Sequence, residues 1–281
     1  MPRCSDSPGL LHPGALYNHL LLTDLQRDCI DVVLVSPRNP LNIGAAARAM
    51  ANFGFPRLSV VAPFEAHWRE ARSAVGAPEL LENAQQYPTL AEAISACTLV
   101  IGTGTLTYRK PEQRVVSLPD LPALIQPELA QSGRIALVFG PEKHGLTRDD
   151  LSLCHMLLEI PTDPRQPSMN LGQAVAVCLY ELSARGANVG PSPNSASRRS
   201  ATAGDLDLLA DVVEQSMLAA DYSRGSMRKK NRHELRLLLR RLSPNAPDTR
   251  RLLGLFRRIL WRLNRTPERD SNSNPAPKPE K

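Results

Sequence analysis

Residues 30–62 read IDVVLVSPRNPLNIGAAARAMANFGFPRLSVVA. The β-branched run at 31–35 predicts a buried strand. Pro37 and Pro40 break it. An alanine-rich helix follows to about Phe53, with Asn42 as its expected cap and Gly54 as its stop. Residues 58–62 predict a second strand. The stretch is therefore one β-α-β unit, in which two parallel strands are joined by a crossover helix.

The alternation continues outward from this unit. Thr89 with Glu92 forms a capping box for a helix through Ala96. Residues 99–101 predict a strand, a helix follows near 120–131, and residues 135–139 predict another strand. Thr147 with Asp150 starts a short helix. A strand at 156–160 leads into an amphipathic helix from Asn170 to about Arg185. Strands alternating with helices imply an α/β fold: a mostly parallel sheet with helices on both faces.

Around this core the chain divides by composition. Residues 1–28 read as an N-terminal extension, and 29–185 as the α/β domain. Residues 186–203 form a Gly/Pro/Ser/Asn-rich linker. Residues 204–264 form a small all-helical module, with helices near 205–220, 226–242 and 248–263. Residues 265–281, rich in Pro, Ser, Asn and charge, read as a disordered tail.

With 42% hydrophobic and 22% charged residues in 281, a packed core is expected and wholesale disorder is excluded. The longest apolar run, 174–180, falls far short of the ~18 residues of a membrane span. The N-terminus lacks the apolar stretch of a signal peptide. Cys4, Cys29, Cys97, Cys154 and Cys178 are scattered without C-x-x-C spacing. A disulfide framework or metal site is not expected, and a reduced cytoplasmic setting is.

The net charge of +6 is unevenly placed. Residues 224–265 hold 14 Lys and Arg against 2 acids, which leaves 20 basic and 26 acidic residues elsewhere. Such asymmetry points to a module that meets a polyanion. Arg228, Arg232, Arg236 and Arg240 recur every four residues and share a helix face. Arg251 and Arg258 belong to a second basic face. Phosphate contact through these residues would position a nucleic acid without reading its sequence. Aromatics make up only 4% of the chain, so extensive base stacking is not expected.

Ligands of open α/β sheets bind beyond the carboxyl ends of the strands. Four candidate loops lie there: residues 40–44 running into Arg48, residues 102–105, residues 139–146, and 160–162 with 167–171. Each places Gly, Asn, Ser or Thr directly after a buried strand. Glycine permits close backbone approach, and Asn and Ser offer several hydrogen bonds. The G-x-G of Gly102 and Gly104 lacks the third glycine of a dinucleotide fingerprint. Neither a phosphate-binding P-loop nor a G-x-S-x-G elbow is present. Glu142 reads as a brace for its loop, and His144 and His155 lack metal-ligand spacing.

Pro40-x-Asn42-x-Gly44-x-x-x-Arg48, then Phe139-Gly140-Pro141-Glu142-x-x-Gly145-Leu146, then Ile160-Pro161 with Ser168-Met169-Asn170-Leu171 resemble three motifs of the SPOUT superfamily. They are most similar to its TrmH-type RNA ribose 2′-O-methyltransferases. With the basic helical tail, the resemblance is to the members that modify cytidine or uridine 32 of the tRNA anticodon loop. Methylation of ribosomal RNA, or a non-catalytic RNA-binding role on the same scaffold, are the alternatives.

The resemblance implies a deep C-terminal trefoil knot in the α/β domain. It implies S-adenosyl-L-methionine as cofactor, tRNA as partner, and a homodimer with the site near the subunit interface; neither DNA nor a membrane is implied. Cofactor contacts would fall on Thr103, Gly104, Thr105, Gly140, Ile160, Pro167, Ser168 and Met169. The first motif's arginine falls on Arg48, which the family treats as a general base. A guanidinium with a pKa above ~12 suits phosphate binding and alkoxide stabilisation better. Ser168 and Asn42 would orient the ribose and the loops. Relatives carry arginines soon after the second loop, where this chain has Leu106, Tyr108 and then Arg109.

Overall fold

The computed structural model describes residues 22–70, 76–104, 111–185, 199–223, 225 and 227–265. The expected extension (residues 1–21 of it), most of the linker and nearly all of the tail lie outside these residues. So do Thr105, Leu106, Tyr108 and Arg109.

After a single-turn helix α1 (Asp24–Arg27), strand β1 (Ile30–Val35) is buried along its whole length. It pairs in parallel with β2 (Arg57–Val61) on one side and β6 (Ile135–Phe139) on the other. The remaining strands are β3 (Gln85–Tyr87), β4 (Leu99–Thr103), β5 (Arg114–Ser117) and β7 (Met156–Glu159). The seven form one sheet in the order β3-β2-β1-β6-β4-β7-β5, with every pair parallel. The expected parallel α/β sheet is thus present. Strands β3 and β5 escaped sequence reading because they are short and half polar, so neither shows an apolar run.

Alternate side chains of β1 enter two cores. Val32 and Leu34 pack under α2 (Pro40–Phe53), α5 (Leu121–Ala130) and α7 (Leu171–Arg185). Val33 and Val35 pack with Leu90 of α4 (Leu90–Ala93), Leu153 just past α6 (Arg148–Ser152), and Ala203. A short α3 (Pro78–Glu82) lies between β2 and β3. The alanines of α2 let α7 approach closely. A Cβ on Gly172 would sit 2.7 Å from the Ala45 methyl.

The expected cap of α2 is corrected. Asn39, not Asn42, accepts from the Leu41 N–H at 2.9 Å. Pro40 then occupies the first helical position, where its missing N–H costs nothing. Asn42 is thereby released for other partners. Gly54 does end the helix, at φ +72° in the left-handed region.

Three helices follow: α8 (Ala203–Ala219), α9 (Met227–Leu242) and α10 (Ala246–Leu263). Leu209, Val213, Leu239 and Leu253 form their shared core. The start of α8 is fixed to the α/β sheet. Ala203 N–H donates to Cys97 O at 2.7 Å, and Gly204 N–H to Ser95 O at 3.0 Å.

The arginine stripe of α9 faces α8. Arg228 pairs with Glu214 (3.0 Å), Arg232 with Asp211 (3.0 Å) and Glu214 (3.2 Å), and Arg240 with Asp207 (3.0 Å). Arg236 lies 3.9 Å from Asp207. Side-chain exposure falls along the helix from 57% at Arg228 to 18% at Arg236 and 1% at Arg240. Of the four arginines expected to meet RNA, Arg240 is closed to solvent and Arg236 is largely covered, while Arg228 and Arg232 stay more open. The compensating acids come from a neighbouring helix. Asp207, Asp211 and Glu214 are spaced at four and three residues, and that pattern was readable in the sequence.

Beside Arg240 lies His155, whose Nδ1 accepts the Val100 N–H at 3.1 Å. Desolvation and the nearby Arg240 charge push its pKa down from 6.5 to about 3. The unfolded chain therefore binds a proton that the folded chain refuses between those values.

Two measurements check this architecture. Arg240→Ala strands a partly buried Asp207, and unfolding in urea is expected to show a loss of about 3 kcal/mol. Stability of the wild type is expected to fall as pH drops from 6.5 towards 3, and His155→Gln is expected to flatten that decline in urea titrations across the same range.

Candidate active site

Three loops leave the carboxyl ends of β4, β6 and β7 and enclose one cleft of about 390 Å³. Thr103, Gly104, Gly140, Ile160, Pro167, Ser168 and Met169 all line it. Seven of the eight residues expected to hold a cofactor are thus brought together, and Thr105 lies outside the described residues. Glu142, Lys143, His144, Thr162 and Leu171 line the cleft as well. The sequence reading did not assign them to it, although all sit within the loops that it singled out.

The loop after β6 doubles back on itself. Gly145 has φ +64°. A Cβ on Gly140 would collide with the backbone of Gly145 and Leu146. Only glycine fits there without opening the turn. Gly104 is the opposite case, because a Cβ there would meet nothing within 4 Å. Its backbone therefore borders open space that a ligand can fill. Thr103 Oγ1 donates to Val138 O at 3.0 Å, which ties the β4 end to β6.

One carboxylate joins the loops. Asn42 Nδ2 donates to Glu142 Oε1 at 2.7 Å, and the Arg38 N–H donates to Oε2 at 3.3 Å. Asn42 Oδ1 in turn accepts from Asn170 Nδ2 at 2.9 Å. Asn170 Oδ1 accepts the Gly172 N–H at 2.9 Å and so caps α7. Burial opposes ionisation of Glu142. The hydrogen bonds from Asn42 and from the Arg38 and Asn39 backbone outweigh it and hold the carboxyl below its usual range. Glu142 is thus an ionised acceptor, as its expected bracing role requires.

Ser168 is exposed at the cleft wall. Arg48 is exposed on α2 and is not among the residues lining the cleft.

A second recess of about 390 Å³ shares Thr103, Gly104, His144 and Gly145 with the first. Arg148 Nη2 donates to Glu112 Oε1 at 2.7 Å there, and Arg148 Nε donates to His233 Nε2 at 3.2 Å. The Arg148 guanidinium holds the Glu112 carboxyl below its usual range. His233 belongs to α9, so the helical module reaches the rim of the site. Among the described residues there is no cluster of three or more His, Cys, Asp or Glu able to hold a metal, and no helix long and apolar enough to cross a membrane.

Residues 30–180 match the SpoU rRNA Methylase family. The chain is 40% identical over 156 residues to the tRNA (cytidine/uridine/adenosine-2′-O-)-methyltransferase TrmJ of Pseudomonas aeruginosa, a match that spans 55% of this chain and 60% of that one. It is 32% identical over 239 residues to the tRNA (cytidine/uridine-2′-O-)-methyltransferase TrmJ of Klebsiella pneumoniae, spanning 82% and 96%. The crystal structure of TrmJ from Z. mobilis superposes with a TM-score of 0.71 at 30% identity, covering 82% of this chain and 98% of that one. The family match runs through the parallel sheet and every loop that walls the cleft, and the chain belongs to the SpoU methylase family of the SPOUT superfamily.

Proposed function

We propose that this protein methylates a ribose 2′-hydroxyl of tRNA, using S-adenosyl-L-methionine, at cytidine or uridine 32 of the anticodon loop. The observation that carries the reading is the convergence of the β4, β6 and β7 loops on one cleft, with Gly104, Gly140 and Ser168 in its wall. Relatives named as tRNA 2′-O-methyltransferases, matched over 96% of their length in one case, support the substrate. The four described cysteines are free thiols, which supports a cytoplasmic setting.

The cleft fits the cofactor. Gly104 borders open space, Ile160 and Leu171 supply apolar wall, and Thr103, Ser168 and the turn at 140–145 supply polar groups. Residues Thr103, Gly104, Gly140, Ile160, Pro167, Ser168 and Met169 would hold it. When bound, it supplies a methyl group on a positively charged sulfur, a leaving group already activated.

The protein's task is then alignment and charge. Ser168, exposed at the wall, orients the incoming ribose. Asn42 is committed to Glu142 and Asn170, so its role is to fix the loops. Arg48 grips the phosphate beside the target and stabilises the negative charge growing on the 2′ oxygen as its proton passes to solvent water. Holding two reactants in register can supply ~7–11 kcal/mol in favourable cases.

Arg48 lines no part of its own cleft, and this supports a homodimer in which α2 of one copy serves the cleft of the other. The sheet order supports the family's trefoil knot. Strand β7 lies between β4 and β5 and is parallel to both, so it inserts between two strands that precede it in the chain. The three C-terminal helices form the RNA-binding module, with Arg251 and Arg258 of α10 among its contacts.

The direct test is to map ribose methylation in unmodified tRNA after incubation with the protein and labelled cofactor, with ribosomal RNA as the control. Methylation at position 32 of tRNA alone is expected. Gly140→Ala is expected to weaken cofactor binding by calorimetry about tenfold or more, since a loop displacement costing ~1.4 kcal/mol suffices. Arg48→Ala is expected to leave cofactor affinity intact while turnover drops ~100-fold. Co-expressing the Gly140→Ala and Arg48→Ala chains is expected to restore part of the activity through mixed dimers. A mixture as inactive as its parts would place Arg48 in cis.

A further inference from the structure

The outer face of α10 carries Arg250, Arg251, Arg257, Arg258, Arg262 and, just past its end, Arg265, all exposed. Their spacings of three, four and seven residues make one stripe. The opposite face, with Leu253 and Phe256, packs into the helical core. This stripe differs from the one on α9. Its ion pair among the described residues is Arg251 with Asp248, at 3.5 Å.

Within the stripe stands an indole. Trp261 is 44% exposed. The Arg258 guanidinium lies 4.2 Å from its ring centroid and the Arg265 guanidinium 4.6 Å. Cations over the ring restrain its orientation. A surface that only grips phosphates has no use for a large exposed aromatic ring. Duplex RNA presents phosphates and sugar edges to such a helix, whereas an unpaired nucleotide also presents the flat face of its base. Guanidinium and indole planes both stack on that face.

We propose that Trp261, with Arg258 and Arg265, is a stacking platform for an unpaired nucleobase, so that this face takes a single-stranded loop of RNA rather than a paired stem. The proposal rests on the RNA reading above and adds which part of the RNA the module meets. It agrees with the expectation from composition that stacking is not extensive. A low aromatic content limits how many bases can stack, and one exposed ring suffices for one base.

The chain has two tryptophans, and Trp68 is fully buried. A change in tryptophan emission on adding RNA therefore reports Trp261. The probes are an anticodon stem-loop RNA and a fully paired duplex of equal length, each titrated into the full chain. The stem-loop is expected to quench emission and the duplex to bind without quenching. Trp261→Ala is expected to weaken stem-loop binding about tenfold with the slope of log Kd against log salt unchanged, while Trp261→Phe keeps most of the affinity. Arg257→Ala is expected to lower that slope by about 1. Equal quenching by the duplex, or full stem-loop affinity in Trp261→Ala, would overturn the platform while leaving the RNA reading intact. So would loss of self-association in Trp261→Ala at unchanged RNA affinity, since the ring would then be a subunit contact. Failure of both RNAs to bind would sink the RNA reading and the platform with it.

Discussion

The candidate site depends on the carboxylate of Glu142. Adjacent strand ends in a parallel sheet lie about 5 Å apart, but nothing in the sheet fixes the loops that leave them. Glu142 gathers the Asn42 amide and the Arg38 N–H, and Asn42 passes the link on to Asn170 at the start of α7. Loops after β1, β6 and β7 are thereby locked through charge-assisted and amide hydrogen bonds. An ionised acceptor is required, because a protonated carboxyl would bring a donor where donors already point. The depressed pKa of Glu142 is the same statement in electrostatic form.

Small residues supply the second condition. Gly140 allows the β6 loop to fold flat on the backbone of 145–146, and Gly172 brings α7 against Ala45 of α2. The first contact shapes the cleft wall directly, and the second holds α7 against α2. The alanine run of α2 is thus a packing feature. It lets the helix that carries Asn42 lie close enough to α7 for the 2.9 Å link to Asn170.

Much of this was legible in the sequence. Buried strands announce themselves by apolar runs, and the loops that follow them by Gly, Asn and Ser. The five central strands and the four candidate loops emerge from that pattern, while the choice of residues within the loops came from the family resemblance. The two edge strands do not, because half-exposed segments of three and four residues carry no run to read. Asn42 was misread for a local reason. Two asparagines flank Pro40–Leu41, and the proline's preference for the first helical position selects Asn39 as cap. That Arg48 is exposed could not be read at all, since it depends on which face of α2 the sheet covers.

The basic module shows what a charge count omits. Counting within residues 224–265 gives a strongly cationic segment, which on charge alone points α9 at a polyanion. Its arginines instead find acids contributed by α8, which lies outside the counted window. A stripe of like charges at four-residue spacing is unfavourable on an isolated helix. It becomes structural once an antiparallel neighbour offers carboxylates at matching intervals. Regular spacing is therefore a signature of a facing helix as much as of a ligand. The stripe on α10 lacks that matching set and stays open to solvent. The cationic surface left open to solvent is for that reason narrower than composition implies, and on α10 it surrounds an aromatic ring.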